Sequence, residues 1–221
     1  MTELYMLNTA PLNEPEVFLR KLGGLSGFRQ NKALSFNNKS DRVLSLGAGL
    51  LISRGLRRLG LDEKNMKYSI GRYGKPYLED YPEINFSVSH CRDMAVCAFS
   101  EFSVGCDVEI IRTPDYNVAK KFFQDREESY VLRHEDENER AKAFFGIWTF
   151  KESFVKATGR GLSMPFNEFS VVSEKHKELR LNYSFGANEY YFKQYAFGDY
   201  IAACCCEEPE FPDVPEICGI D

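Results

Sequence analysis

No stretch of this sequence approaches the roughly 18 consecutive apolar residues that a membrane span requires. Its opening, MTELYMLNTAPLNEPEVF, has no basic segment followed by a long apolar run and carries an early proline, so no secretory signal is expected. No membrane is expected as a partner, and the expected location is the cytoplasm. The seven cysteines form no C-x-x-C pair, and Cys204, Cys205 and Cys206 are consecutive. That pattern suits neither tetrahedral zinc nor a disulfide framework. Their apolar neighbours, as in AVCAF and IAACCC, mark them as small buried hydrophobes in a reducing compartment. There is no P-loop, no GxGxxG and no kinase signature. Zinc-finger and RNA-binding patterns are absent too, which excludes the usual nucleic-acid modules.

What the chain does have is material for a core. Of its 221 residues, 43% are hydrophobic and 14% aromatic, enough for one large domain or two intimate lobes of about 100 residues each. The net charge of −5 is unevenly spread. Glu207, Glu208, Glu210, Asp213, Glu216 and Asp221 put −6 into the last 15 residues, leaving +1 for the 206 before them. Between residues 54 and 75, Arg54, Arg57, Arg58, Lys64, Lys67, Arg72 and Lys75 outnumber Asp62 and Glu63, a net +5. Such a patch is either a solvated helix face or an attractor for a polyanion or acidic protein.

Residues 1–10 read as a short strand and the GGLSG region as loop. Ser40 or Asp41 can cap a helix reaching Leu59, with Val43, Leu44, Leu50, Leu51, Leu56 and Leu59 as its apolar stripe and Gly60 as its end. Three strand signals follow at residues 85–90, 94–99 and 104–110, separated by turn residues, and predict an antiparallel meander. Helices are expected over residues 115–133 and 140–157, then strands over residues 168–172, 179–183, 190–196 and 200–206. Asp93-Met-Ala-Val-Cys-Ala-Phe is faintly echoed 106 residues later by Asp199-Tyr-Ile-Ala-Ala-Cys-Cys. This fits an α+β fold of two similar halves, each a β-meander packed with helices. The expected division is 1–105, 106–206 and a loose acidic tail, 207–221, punctuated by Pro209, Pro212 and Pro215.

Three elements can carry chemistry. In Val104-Gly-Cys-Asp107-Val-Glu109-Ile, strand alternation projects Asp107 and Glu109 from one face and Val108 and Ile110 from the other. A bare D-x-E is usually an exposed strand face, but paired hard oxygens also suit Mg²⁺ with a phosphate ligand. In Trp148-Thr-Phe-Lys151-Glu152-Ser-Phe-Val-Lys156, residues 148, 152 and 156 form one helical stripe. Glu152 and Lys156 are an ordinary surface pair unless Trp148 turns that face inward, where a third carboxylate and an ammonium complete a diphosphate site. Ser89-His90 closes a strand just before a turn, where binding groups emerge.

With Gly74-Lys75-Pro76, these motifs in this order and spacing resemble the Sfp-type 4′-phosphopantetheinyl transferase family, over roughly residues 40–172. The resemblance implies two pseudo-symmetric α+β lobes with coenzyme A between them. It implies Mg²⁺ held by Asp107, Glu109 and Glu152 together with the diphosphate, Lys156 neutralising phosphate, and Ser89 and His90 as phosphate contacts. Lys75, with Gly74 and Pro76, would hold the adenosine diphosphate end, and Arg42 would contact nucleotide phosphates. Glu127 matches a glutamate near the attacking serine. Arg29 or Lys32 is the available 3′-phosphate contact, and Cys106 stands where Ile or Val is common.

The implied reaction moves the phosphopantetheine arm of coenzyme A to a serine of an acyl or peptidyl carrier, as in fatty-acid, polyketide or non-ribosomal-peptide synthesis, releasing 3′,5′-ADP. Glu152, Glu127 or a metal-bound water is the base. A monomer is expected, one chain supplying both walls of the cleft. Carriers of this class are acidic around the serine, so the +5 patch is a candidate docking surface, and neutralising Arg57 and Arg58 should then raise KM for carrier alone. The alternatives are a catalytically inactive relative that only captures coenzyme A or a carrier, and an unrelated Mg²⁺-dependent phosphoryl or nucleotidyl transferase.

Overall fold

A computed structural model describes residues 1–172, 179–182 and 189–220. Strand β1 (Glu3–Asn8) leads into helices α1 (Pro15–Leu22), α2 (Gly27–Leu34) and α3 (Lys39–Arg58). The hairpin of β2 (Tyr68–Ile70) and β3 (Pro76–Leu78) follows, then β4 (Asn85–Cys91), β5 (Met94–Ser100) and β6 (Val104–Ile110). Helices α4 (Tyr116–Phe122), α5 (Asp125–Leu132) and α6 (Glu137–Thr158) precede β7 (Ser170–Val172), β8 (Leu179–Asn182), β9 (Tyr191–Phe197), β10 (Tyr200–Cys206) and β11 (Glu216–Cys218). Tyr183, the last residue of one expected strand, lies outside the described residues. No helix among the described residues is long and apolar enough to cross a membrane.

Two sheets form the centre, one ordered β11-β1-β5-β4 and the other β6-β10-β9. Strand periodicity explains their stacking. Leu4 and Met6 of β1 and Val96 and Ala98 of β5 meet Val104, Cys106, Val108, Cys204 and Cys206 in a core between the sheets. The alternate residues Tyr5, Leu7 and Cys97 face outward onto Leu51, Ile52 and Leu56 of α3. Ile201, Ala203 and Cys205 of β10 likewise meet Phe150 and Phe154 of α6. All seven cysteines are free thiols, and five of them are fully buried.

Four sequence expectations change. The strands at 85–110 do not form one meander: β4 pairs with β5, but β6 leaves to pair with β10 over its whole length. Gly105 permits this by letting β6 lie directly on α6; a Cβ there would overlap the backbone of Ser153 and Ala157. The GGLSG region is not simply loop, since α1 and α2 flank it and pack Leu22, Leu25 and Ala33 under α3. Helix α3 is capped by Asn38, whose side chain accepts from Asp41 N at 2.7 Å, rather than by Ser40 or Asp41. The acidic tail is not loose. Its β11 adds to β1 in parallel, Tyr195 Oη donates to Pro212 O at 2.9 Å, and Glu216 joins Arg54 and Arg58 at 2.8 and 2.7 Å.

Candidate functional site

The departure of β6 creates a seam where two strands lie side by side without a backbone ladder. Side chains bridge it instead. Ser87 Oγ accepts from Cys106 N at 3.1 Å. Two residues on, Ser89 Oγ donates to Asp107 Oδ1 at 2.7 Å, and after two more the Cys91 thiol donates to Glu109 Oε2 at 3.3 Å. Ser87, Ser89 and Cys91 are alternate residues on one face of β4; the last two meet Asp107 and Glu109, alternate residues of β6, while Ser87 meets the β6 backbone at Cys106.

Helix α6 closes the seam. Lys156 Nζ lies 2.7 Å from Asp107 Oδ1 and 2.9 Å from Ser89 Oγ. Desolvation opposes its charge, but Asp107 and its neighbours outweigh that and hold its pKa above the ordinary lysine value. Burial, then Asp107, pushes up the pKa of both Glu109 and Glu152. Desolvated carboxylates of like charge favour the protonated form in this way until a cation joins them. The head of the stripe, Trp148, packs among Phe122, Phe144 and Phe166, which turns this face of α6 inward.

Beside the seam, the 71–75 loop meets the end of α6. Gly159 and Gly161 both have left-handed backbones, φ 66° and 54°, and a side chain at Gly161 would press on Tyr73 O. Lys75 Nζ donates to Val104 O at 2.8 Å and Lys156 O at 3.0 Å, tying the loop to both β6 and α6. Burial lowers its pKa to about 8. Gly74, Lys75, Pro76, Phe86 and Lys156 line a cavity of about 230 Å³ there. His90 stands at the end of β4, where crowding by protein and then the Lys156 ammonium lower its pKa. Asp41 of α3 and Arg29 of α2 act on the same ring with opposite sign.

The structure therefore gathers Ser89, His90, Asp107, Glu109, Glu152, Lys156, Lys75, Gly74 and Pro76 around one seam and its adjoining cavity. Arg42 is placed at the start of α3, its Nε donating to Phe36 O at 2.7 Å. Of the two 3′-phosphate candidates, Arg29 is buried and donates to Ser45 O at 3.0 Å, while its Nε has no partner among the described residues. Lys32 lies over the Phe36 ring.

Glu127 does not join the site. It is fully buried, 2.9 Å from Lys151 Nζ, and accepts from Gln124 N at 2.9 Å and Val171 N at 2.8 Å. Lys151 is equally buried and donates to Phe166 O at 2.6 Å and Phe169 O at 2.7 Å. With every oxygen engaged and no path to solvent, Glu127 is a strut between α5, α6 and β7, not an accessible base. Sequence reasoning missed this pair because Glu127 and Lys151 are 24 positions apart. It also missed Cys91, which the period-2 spacing Ser89-x-Cys91 opposite Asp107-x-Glu109 could have revealed.

The basic stretch at 54–75 is likewise not one free patch. Arg54 and Arg58 turn to Glu216, Arg58 also to Glu3, Lys67 lies 3.9 Å from Asp80, and Lys75 points inward.

Among the described residues, no three His, Cys, Asp or Glu side chains are gathered closely enough to hold a metal ion as they stand. One atom nonetheless calls for a cation. Asp107 Oδ2 is buried and has no hydrogen-bond partner among the described residues, a costly state for a carboxylate oxygen. With Glu109 and Glu152 beside it, the donor set is all hard oxygen, which fits Mg²⁺.

A family model described as the 4′-phosphopantetheinyl transferase superfamily matches residues 103–205. The chain is 30% identical over 212 residues to the 4′-phosphopantetheinyl transferase Sfp of Bacillus subtilis (strain 168), covering 95% of this chain and 93% of that protein. It is 30% identical over 209 residues to 4′-phosphopantetheinyl transferase gsp of Aneurinibacillus migulanus, covering 93% and 86%. The holo-[acyl-carrier-protein] synthase of Thermotoga maritima superposes with a TM-score of 0.41 at 23% identity, covering 51% of this chain and 66% of that one.

Proposed function

The chain belongs to the 4′-phosphopantetheinyl transferase superfamily, and from that premise we propose how this enzyme transfers phosphopantetheine from coenzyme A to a carrier-protein serine. The reading is carried by the Ser89–Asp107–Lys156 contact, where a lysine, a half-satisfied buried aspartate and two further carboxylates meet at the seam of two sheets.

Coenzyme A lies along that seam. The protonated Lys75 offers its remaining N–H to the nucleotide phosphates above the Gly74–Pro76 turn, and Arg42 and His90 approach from the α3 side. Lys156 shifts from Asp107 toward the diphosphate and balances the charge that builds on its oxygens as the reaction proceeds. When bound, Mg²⁺ supplies further charge neutralisation at the diphosphate, and Asp107, Glu109 and Glu152 are the groups that would hold it. The carrier serine Oγ attacks the phosphorus that bears pantetheine. Glu152, half-exposed and of raised basicity, accepts the serine proton. The bond to the bridging oxygen breaks, and 3′,5′-ADP leaves with that oxygen. We place the reaction in the cytoplasm and in a monomer, consistent with seven free thiols and with one chain supplying both walls of the seam.

Intact-mass spectrometry of an apo acyl or peptidyl carrier, incubated with the enzyme, coenzyme A and Mg²⁺, tests this. The expected result is a gain of one phosphopantetheine that disappears with EDTA or with Glu152→Gln. A carrier that gains no mass while coenzyme A still binds would identify an inactive capture module instead.

A further inference from the structure

The far edge of the first sheet encloses a second, larger cavity. The end of α1, the outer face of α3 and the C-terminal strand β11 surround about 500 Å³, within the usual range for small-molecule sites. Its floor is aliphatic, with Leu50 partly open above the buried Leu25 and Leu51, and no aromatic ring among the described residues lines it. Its rim is cationic, with Arg20, Lys21, Arg54 and Arg57.

Among the described residues the only acid in the lining is Glu216, and both of its oxygens are already engaged. Arg54 grips its Oε1 through Nε and Nη2 at 3.0 and 2.8 Å, and Arg58 takes Oε2 at 2.7 Å. Two guanidiniums thus already hold one carboxylate beside this rim, one at each of its oxygens. Among the described residues, the side chains of Arg20, Lys21 and Arg57 have no hydrogen bond or ion pair. Three cations with no protein partner among the described residues, set above an apolar floor, match an anionic head on an aliphatic body. Nor does this cavity serve the nucleotide: Arg57 lies 15 residues beyond Arg42 on α3, about 22 Å along the axis.

We propose that this cavity binds an amphiphilic anion, a single carboxylate or phosphate head on an aliphatic body. The head lies among Arg20, Lys21 and Arg57, and the body lies on the leucine floor. A ring-based ligand is disfavoured, because no aromatic side chain among the described residues is there to stack on it. The inference is independent of the transfer reaction, and such a ligand can come from two sources, a free acid or an anionic lipid headgroup.

The test uses the full chain without coenzyme A. Decanoate, decanol and acetate are titrated calorimetrically, and co-sedimentation with phosphatidylglycerol vesicles is measured in parallel. The comparison protein is the Arg20→Gln/Arg57→Gln double variant, whose melting temperature and coenzyme A affinity should be unchanged. For a free acid, decanoate binds saturably, decanol and acetate bind at least tenfold more weakly, and the variant loses at least tenfold. Vesicle binding that the variant abolishes, with decanoate silent, assigns the same site to a lipid headgroup. Decanoate binding that is equal in the variant or no stronger than acetate, or failure of both ligands to bind, overturns the proposal.

Discussion

The segments β1–α3–β4–β5 and β6–α6–β9–β10 run through the same order of elements. In each, the last strand lies in the middle of its sheet, between the other two. The faint echo at Asp93 and Asp199 marks these two central strands. Aligning the halves on it puts Tyr5, opposite Cys97, in the place of Asp107, opposite Ala203; Leu7, opposite Ala95, takes the place of Glu109, opposite Ile201. One half fills those positions with fully buried apolar bodies under α3. The other fills them with carboxylates facing Glu152 and Lys156 of α6. The same scaffold is thus a core where its first strand is apolar and a charged site where it is acidic. The acidic version is tolerable because β4 of the first half supplies Ser89 and Cys91 as donors across the seam.

The halves also bring helix to strand differently, and the largest expected effect lies there. In the second half the glycine is on the strand, with Gly105 against the backbone of α6. In the first it is on the helix, with Gly55 against the Phe99 ring. Gly105→Ala must displace backbone and should abolish soluble, folded protein. Gly55→Ala meets a ring that can move, and should cost about 1–3 kcal/mol in chemical denaturation. Equal effects would break the comparison.

Next in size is the buried pair found only in the second half. Lys151→Met strands a buried Glu127 carboxylate and should lower stability by about 3–5 kcal/mol. Lys151→Met with Glu127→Leu should recover part of that loss. A single variant as stable as wild type would mean the pair is not the strut described.

The smallest effect is one of pH. If Lys75 holds a phosphate as proposed, it does so only when protonated, so coenzyme A affinity should fall as pH rises through about 8, and Lys75→Met should flatten that profile. Stability moves the other way. The folded pKa lies below the ordinary lysine value, so unfolding takes up protons between the two and this group's contribution to stability rises with pH. Calorimetric titrations from pH 7 to 9 would show whether the wild-type affinity falls; a flat wild-type profile would remove Lys75 from the phosphate site.

Much of this was legible in the sequence because period and spacing are local. The strands β4, β5 and β6, the helices α3 and α6 and the same-face placement of Asp107 and Glu109 all follow from alternation or a 3.6-residue stripe. The partner of β6 was not legible, because an apolar strand says which face is buried but not which strand it joins. Helices α1 and α2 escaped for another reason. At eight residues each they are too short to hold by propensity, and they depend on Leu22 and Leu25 packing under α3 and on Glu63 accepting from Ser26 N and Oγ at 2.7 and 2.6 Å. The tail looked loose by composition, yet one glutamate in it meets two arginines that the sequence placed more than 150 positions away.

The central claim is that charge chemistry resides in one half of a duplicated scaffold. Single-turnover transfer to a carrier, followed by intact mass for Asp107→Asn and Tyr5→Phe side by side, tests it most directly. Tyr5→Phe should transfer at nearly the wild-type rate, while Asp107→Asn should be slower by about 10³-fold with its melting temperature kept. An Asp107→Asn enzyme as fast as wild type, or a Tyr5→Phe enzyme equally disabled, would contradict it.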